Sequence, residues 1–236
     1  MIKFARLKRR FDVTKMQQEV CTLETDLWKP HYNIKHYEGN WTTLQLRSIN
    51  GNIENAVSLH SSSMHKMVYE NTILLEKCIY LQSVINFFQC EKMSVRLMNL
   101  HAGAVIKEHT DYDMNFEKGE VRFHIPIQTN SDVSFFLENE KIPMLEGECW
   151  YLNLSLKHRV NNSGNRNRIH LVIDCKVNDW VKNLLKKEAE LTELIDEKNE
   201  ITNYSDLDKI KIIQQLRLMG TPTAEILAKK LEAGND

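Results

Sequence analysis

The nine residues Gly103-Ala104-Val105-Ile106-Lys107-Glu108-His109-Thr110-Asp111 indicate both a strand and a metal site. Gly103 marks a turn, and the residues after it read as a β-strand that ends near His109 and Asp111. Alternate side chains of a strand share a face, so these two residues can point at one metal ion. The H-x-D tripeptide alone is weak, because a chain with 9 histidines and 32 acidic residues also produces it by chance in solvated loops.

Two residues farther along the chain strengthen the metal hypothesis. His158 and Arg168 flank Asn161–Asn165, a loop of hairpin type, which predicts two antiparallel strands with both side chains near one end of a barrel. Two histidines and one carboxylate form a facial triad that leaves coordination positions open, as in non-haem Fe(II) oxygenases. Arg168 offers the planar fork that binds the carboxylate of a 2-oxoacid co-substrate.

The surrounding pattern predicts a mainly β protein. Strict alternation over Val121–Ile127 and Arg168–Asp174, and a turn followed by a strand over Gly147–Asn153, indicate strands. Residues 93–177 would supply most of the eight strands of a double-stranded β-helix, the jelly roll of cupins. Trp150 is expected in the barrel core, and flanking helices are expected to brace the outer sheet.

Five blocks of sequence follow one another in a specific order. They are Ala102–Ile106, Arg122–Ile127, Gly147–Trp150, His158–Asn162 and Arg168–Asp174. In this order and spacing, the chain resembles the aspartyl/asparaginyl β-hydroxylase family of Fe(II)/2-oxoglutarate-dependent oxygenases. The resemblance implies an enzyme, a hydroxylase that uses Fe(II), 2-oxoglutarate and O2 and releases succinate and CO2.

The resemblance also assigns the metal ligands. The iron would be held by His109, Asp111 and His158. Vertebrate members that hydroxylate peptides lack the carboxylate, whereas this chain keeps Asp111. It therefore resembles the small bacterial members that hydroxylate free amino acids, such as the proline cis-4-hydroxylases, and the predicted substrate is a free L-amino acid with proline first.

The co-substrate residues follow from the same resemblance. Arg168 would bind the distal carboxylate of 2-oxoglutarate, and Arg122 with His124 matches a second polar pair that contacts co-substrate or substrate. Met98 stands where some members have a hydroxyl residue that helps to hold 2-oxoglutarate. Arg96 lies two residues earlier on the same strand face, so it is the candidate to compensate.

The polar stretch from Asp113 to Gly119 is a natural gate beside the metal. For an amino-acid substrate, Arg122 is a candidate to bind the carboxylate, and Asp113 or Glu117 is a candidate to bind the ammonium group. His170 shares a strand face with Arg168, so it lies either in the pocket or in the core as a satisfied histidine. Two alternatives to the free-amino-acid hydroxylase stay open. One is a hydroxylase of a peptide, protein side chain or larger metabolite, and the other is a non-catalytic metal-binding cupin module.

Composition restricts the partners. The 236 residues carry a formal net charge of -1, which gives no field to attract nucleic acid. No apolar run approaches the ~18 residues of a membrane span, so no membrane partner is expected. The 5 cysteines are scattered and odd in number, which favours reduced thiols and a cytoplasmic location.

Two domains are predicted. Residues 1–178 would form the jelly-roll oxygenase domain with its N-terminal and bracing helices, and residues 179–236 a C-terminal helical extension. The predicted secondary structure outside the barrel comprises helices at Asp12–Leu27, Met67–Gln89, Trp180–Asn199, Ser205–Met219 and Thr221–Gly234, and a strand at Trp41–Ser48. The C-terminal helices are expected to be a structural brace or a homodimer surface, with a lid over the substrate as the alternative.

Overall fold

The computed structural model describes residues 1–54, 68–111 and 114–190, with residues 210, 213–214, 217–218, 228–229 and 232 beyond them. The strands are β1 (Phe4–Arg10), β2 (Lys29–Pro30), β3 (Tyr37–Glu38), β4 (Trp41–Ile49), β5 (Tyr69–Asn71), β6 (Lys92–Leu100), β7 (Val105–His109), β8 (Glu120–Gln128), β9 (Val133–Leu137), β10 (Glu140–Ile142), β11 (Glu148–Leu152), β12 (His158–Asn162), β13 (Arg168–Lys176) and β14 (Ala189–Glu190). The helices are α1 (Val13–Cys21), α2 (Ile73–Glu76), α3 (Ile79–Phe87) and α4 (Asp179–Glu188), with 3-10 turns at Thr25–Leu27, Ile34–His36 and Phe116–Lys118.

The strands form two sheets. The larger sheet has the order β14-β1-β11-β8-β13-β6-β4-β2, with β5 paired to β4, and the smaller has the order β10-β9-β12-β7-β3. The eight strands from β6 to β13 divide equally. Strands β6, β8, β11 and β13 lie in the larger sheet, and β7, β9, β10 and β12 lie in the smaller. This division is that of a jelly roll, so the predicted fold class is confirmed.

The larger sheet is covered on both faces, which explains why β6 is buried almost throughout. Leu97 belongs to a cluster that packs the outer face against the helices, through residues such as Leu81 and Phe88. Its neighbour Met98 belongs to a second cluster inside the barrel, together with Trp150. Successive side chains of a strand point to opposite faces, so one strand serves both cores. The bracing role of the helices and the core position of Trp150 are therefore confirmed.

Two helix predictions are partly wrong. The helix predicted from Asp12 to Leu27 ends at Cys21 and is followed by the separate 3-10 turn. The single helix predicted over Met67–Gln89 is β5 followed by α2 and α3, with Cys78 outside helical geometry at φ -114° and ψ 76°. Pairing of β5 with β4 overrides the helical periodicity there, because tertiary pairing outweighs weak local propensity.

The loop after His158 is not a hairpin. Strand β12 pairs with β7 and β9 in the smaller sheet, whereas β13 pairs with β6 and β8 in the larger one. The buried amide of Asn162 holds the crossing by donating to the carbonyl oxygens of Leu100, His101 and Arg166 at 2.9–3.1 Å. The chain therefore passes between sheets at this loop, and the predicted antiparallel pairing of the two flanking strands is wrong.

The helix predicted from Trp180 to Asn199 ends at Glu188, and β14 follows it and pairs with β1. The chain divides into compact units at Met1–Thr192 and Glu193–Asp236, one helix later than the predicted boundary after residue 178. Helix α4 belongs to the first unit because Val181 and Leu185 are buried in the outer core cluster. The other two predicted C-terminal helices lie mostly outside the described residues. No helix in the described part of the chain is long and apolar enough to cross a membrane.

Candidate active site

The structure brings His109, Asp111 and His158 together, as the sequence predicted. One ligand atom from each lies within 4.8 Å of the others, and His109 Nε2 is 3.9 Å from Asp111 Oδ1. Strand register produces this meeting, because His109 at the end of β7 pairs directly with His158 at the start of β12. Asp111 follows β7, and its backbone N–H donates to the Leu154 carbonyl oxygen at 2.8 Å. Two imidazoles and a carboxylate at this spacing can hold a divalent metal.

Backbone hydrogen bonds orient both imidazoles. His109 Nδ1 donates to the Lys107 carbonyl oxygen at 2.7 Å, and His158 Nδ1 donates to the Leu156 carbonyl oxygen at 3.0 Å. A carbonyl only accepts, so these bonds place the proton on Nδ1 and leave the Nε2 lone pair for a metal. Burial, and after it the charge of His109, lowers the pKa of His158 to about 4, which keeps the ring neutral.

The Asp111 carboxylate is held by Arg122. Its Oδ2 accepts a hydrogen bond from Arg122 Nη1, while Oδ1 faces His109. Burial alone would raise the pKa of Asp111, but Arg122 and the two nearby imidazoles outweigh it, and the pKa lies below its ordinary value. The residue is therefore an anion with one oxygen fixed and the other turned toward the histidines.

Asp174 is a residue of this site that sequence reasoning did not identify. Its Oδ1 accepts from Arg122 Nε at 2.6 Å, and its Oδ2 accepts from Arg122 Nη2 and from Arg96 Nη1, both at 3.0 Å. All three residues are buried. Burial would raise the pKa of Asp174, yet the two guanidinium groups hold it well below its usual range. The alternation of β13 places Asp174 on the same strand face as Arg168 and His170. This alternation was the sequence signal that could have identified Asp174 as a site residue.

We expect Asp174→Asn to destabilise the protein by about 3–5 kcal/mol, because breaking a buried ion pair leaves uncompensated charge. Denaturant unfolding measures the loss, and Asp132→Asn, at an exposed position, is the matched control. The folded pKa of Asp174 is lower than the unfolded value of about 3.9, so its contribution is present above about pH 4 and is lost as the pH falls below it. An unfolding free energy equal to that of wild type at pH 7 would contradict the account.

Arg168 lies near these groups, and its charge has no carboxylate partner in the described part of the chain. The guanidinium is buried, its Nη2 contacts His170 Nδ1 at 3.0 Å, and its centre lies 6.0 Å from the Phe135 ring. Among the described residues no acidic side chain forms an ion pair with it, and its Nε has no hydrogen-bond partner. Burial without a counter-ion lowers the pKa of Arg168 to about 9. A buried cation of this kind is costly unless a bound anion neutralises it.

His124 and His170 differ in their surroundings. The ring nitrogens of His124 are both buried and without a hydrogen-bond partner in the described part of the chain. Burial, and after it the charge of Arg168, lowers the pKa of His124 well below its ordinary value, so the neutral ring offers one donor and one acceptor. His170 instead accepts from Arg168. An unsatisfied buried imidazole beside an unpaired guanidinium indicates a ligand.

Most of these groups, though neither Asp174 nor His170, line one cavity of about 420 Å³. Its polar wall carries the metal triad and the three arginines at positions 96, 122 and 168. Its apolar wall comprises Met98, Ile106, Phe135, Leu154 and Val160. A third wall is aromatic, with Tyr32, His31 and Trp41, and the last two stack at 3.6 Å between ring centroids. A concave site with convergent polar groups on an apolar base is typical of a small-molecule active site.

The family model described as Aspartyl/Asparaginyl beta-hydroxylase matches residues 10–177. The chain belongs to this family. The L-proline cis-4-hydroxylase of Rhizobium meliloti (strain 1021) is 25% identical over 201 residues, which are 83% of this chain and 70% of that protein. The match spans the barrel and its bracing helices, so the protein is an enzyme of the hydroxylase type.

Solved structures resemble the hydroxylase more distantly. A Pseudomonas putida prolyl-4-hydroxylase is 9% identical with a TM-score of 0.48, over 75% of this chain and 94% of that one. An oxidoreductase of the 2OG-Fe(II) oxygenase family from Burkholderia pseudomallei is 12% identical with a TM-score of 0.45, over 70% of this chain and 79% of that one.

One prediction for the polar stretch from Asp113 to Gly119 does not hold. Asp113 lies outside the described residues. The Glu117 carboxylate accepts a hydrogen bond from the Ile2 backbone N–H at 2.9 Å and does not line the cavity. The assignment of Glu117 to the ammonium group of the substrate is therefore wrong.

The Met98 position is apolar in this hydroxylase, as the sequence showed, and its side chain lines the cavity. Arg96, the candidate to compensate for the missing hydroxyl, also lines the cavity, but its Nη1 donates to Ser94 Oγ at 2.8 Å and to Asp174. The Arg96 guanidinium thus helps to balance Asp174. Its predicted part in holding 2-oxoglutarate stays a prediction.

Proposed function

We propose that the protein is an Fe(II)/2-oxoglutarate-dependent dioxygenase that hydroxylates a free L-amino acid, proline first, and releases succinate and CO2. One observation carries the proposal. The buried Arg168, which forms no ion pair with any described residue, lies in the cavity that also holds His109, Asp111 and His158. A structural metal site needs no such cation, whereas a dicarboxylate co-substrate does.

The donor set fits Fe(II). His109 and His158 offer their Nε2 atoms, and a hydrogen bond from Nδ1 to a backbone carbonyl oxygen fixes each ring. Asp111 offers Oδ1, because its other oxygen, Oδ2, accepts from Arg122. Three protein ligands leave open positions for a chelating co-substrate and for O2. When bound, iron with these reactants supplies the oxidising power that inserts one oxygen atom into a C–H bond.

The floor of the cavity fits 2-oxoglutarate. Arg168 Nε and one ring nitrogen of His124 are buried donors that lack partners among the described residues, and a carboxylate would accept from both. Phe135 supports this arrangement, because its ring stacks near His158 at 6.2 Å between centroids and also lies under the Arg168 guanidinium. These residues bind and orient the co-substrate, and the apolar wall excludes water.

Charge balance favours an anionic substrate group near the metal. Arg96, Arg122 and Arg168 supply three positive charges, against two negative charges from Asp111 and Asp174. A divalent metal raises the net charge to about +3, and a 2-oxoglutarate dianion lowers it to about +1, so the carboxylate end of a zwitterionic substrate is attracted to this positive region. Arg122 commits Nε, Nη1 and Nη2 to carboxylates, and a guanidinium has five N–H groups. Donors therefore stay available for the substrate carboxylate.

The aromatic wall suits the rest of an amino acid. In the described lining, Asp111 is the one carboxylate, and Arg122 already holds it. A substrate ammonium group can instead lie against the faces of Tyr32, His31 and Trp41. Burial, followed by the charges of Arg96 and Arg122, lowers the pKa of His31 to about 3, so this ring is neutral and does not repel a cation. Apolar neighbours such as Met98 and Ile106 suit a hydrocarbon side chain.

The alternatives have less support. A hydroxylase of a peptide or protein side chain would need an open groove, and a cavity of about 420 Å³ has room for a small substrate beside the co-substrate. The non-catalytic cupin module disagrees with membership of a hydroxylase family and gives no reason for the buried Arg168. All five cysteines are free, in keeping with the predicted cytoplasmic location. A homodimer through the C-terminal helices stays a prediction.

A substrate screen tests the proposal. Protein loaded with Fe(II) is incubated with 2-oxoglutarate, O2 and each free amino acid in turn. We expect one or a few amino acids, proline among them, to gain one oxygen atom by mass spectrometry and to stimulate succinate release. The Asp111→Ala protein is the control and should show neither change. Oxidation of a peptide but of no free amino acid would refute the substrate class and keep the iron and 2-oxoglutarate assignment.

A further inference from the structure

A second cavity of about 630 Å³ shares two lining residues with the first. Arg168 and Phe135 line both cavities, whereas none of the three metal-site residues lines the second. Its walls are mostly apolar, with Val133, Ile142 and Met144. Arg168 therefore lines two cavities, and the metal-site residues line the first of them.

The groups around the second cavity favour an anion. His170 lines this cavity and accepts from Arg168, which directs the guanidinium toward the boundary between the two spaces. Lys141 lies exposed on the rim and forms no ion pair with any described residue. Glu146 is the one carboxylate of the described lining, and its oxygens accept from the Thr129 backbone N–H at 2.9 Å and from Gln17 at 3.4 Å. Two positive charges, those of Arg168 and Lys141, thus face this space against the single negative charge of Glu146.

We propose that this second cavity is a rear passage through which the 2-oxoacid dicarboxylate reaches Arg168 and the product dicarboxylate leaves. The inference rests on the proposed function. A co-substrate entering through the first cavity must pass the metal and the space of the amino acid before its distal carboxylate meets Arg168. Entry past Lys141 with the 2-oxo end leading leaves the trailing distal carboxylate at Arg168, which together with Phe135 lines both cavities. Co-substrate and amino acid can then bind in either order.

Two rim substitutions test the passage. Lys141→Glu reverses the charge that attracts a dianion, and Lys8→Glu, an exposed position on β1 that lines neither cavity, controls for net charge. Ser131→Phe narrows the exposed rim, and Ser131→Ala is its control. Binding of 2-oxoglutarate to the Zn²⁺-substituted protein, which cannot turn over, is followed by stopped-flow tryptophan fluorescence.

We expect both rim variants to slow 2-oxoglutarate association about 3- to 10-fold and the control variants to match wild type. Lys141→Glu weakens the electrostatic attraction of the dianion, and Ser131→Phe narrows its path. High salt should remove the effect of Lys141→Glu, because exposed charges are screened. Ser131→Phe should slow association and dissociation equally and leave the Kd unchanged, since it obstructs a path and touches no bound ligand. If both rim variants bind 2-oxoglutarate at the wild-type rates, the passage is wrong. Binding of 2-oxoglutarate by the wild-type protein in the same experiment would still support the proposed function. Absence of 2-oxoglutarate binding to wild type would overturn both.

Discussion

Replacing Asp111 with alanine is expected to abolish hydroxylation and to weaken metal binding at least about 100-fold. Substitution of groups that merely orient metal ligands costs about 10- to 100-fold in affinity or activity, and Asp111 provides the charged ligand itself. Two neutral imidazoles hold Fe(II) less well than a triad with a carboxylate. Metal affinity is measured by competition with a chromogenic chelator, and turnover by succinate release.

Asp132→Ala is the matched control, because Asp132 is exposed and lines neither cavity. Asp111→Asn adds a second comparison, since the amide keeps the volume and can still accept from Arg122 while the charge is removed. We expect Asp111→Asn to bind the metal weakly as well. Full iron affinity together with full turnover in Asp111→Ala would show that Asp111 is not a ligand.

Replacing Arg168 with leucine is expected to raise the 2-oxoglutarate KM by a factor between about 30 and several thousand. Loss of one buried, charge-assisted contact costs on the order of 2–5 kcal/mol, and each 1.4 kcal/mol is tenfold. The same substitution should not lower the unfolding free energy of the metal-free protein. It removes a buried cation that has no carboxylate partner among the described residues and replaces it with an apolar side chain of similar volume.

Arg166→Leu is the control, because Arg166 is exposed and lies two residues earlier, in the loop that precedes β13. The two proteins are compared in 2-oxoglutarate titrations and in thermal unfolding without metal. The expected pattern is a large KM effect with retained stability for Arg168→Leu and no effect for Arg166→Leu. A normal KM would move the anchor elsewhere, with Arg122 as the next candidate. A large loss of stability would show that Arg168 is a structural residue.

Local periodicity made much of the barrel predictable from the sequence. The alternation of Val121–Ile127 and Arg168–Asp174 corresponds to β8 and β13, and the turn at Gly147 precedes β11. Alternation is a property of neighbouring residues, so it survives without knowledge of the partner strand. The helix predictions at Asp12–Leu27 and Met67–Gln89 were less accurate, because pairing and packing with distant strands end or interrupt those segments.

The sequence also supplied the residue types of the candidate site. His109 and Asp111 are close in sequence, and the spacing to His158 and Arg168 follows the five blocks of the family. What the sequence could not give is the register that pairs His109 with His158, or the crossing between sheets at the loop before Arg168. Register is set by contacts along whole strands, which no single motif contains.

The electrostatics of the site depend on the tertiary structure alone. Asp174 and Arg122 are 52 positions apart, yet their ion pair fixes the Asp111 carboxylate. The lack of an ion-pair partner for Arg168, among the described residues, likewise comes from which segments surround it. The sequence by itself determined the strands and the chemical groups available. The fold decided which charges are paired, because the energy of a buried charge depends on distance and on neighbours brought from remote segments.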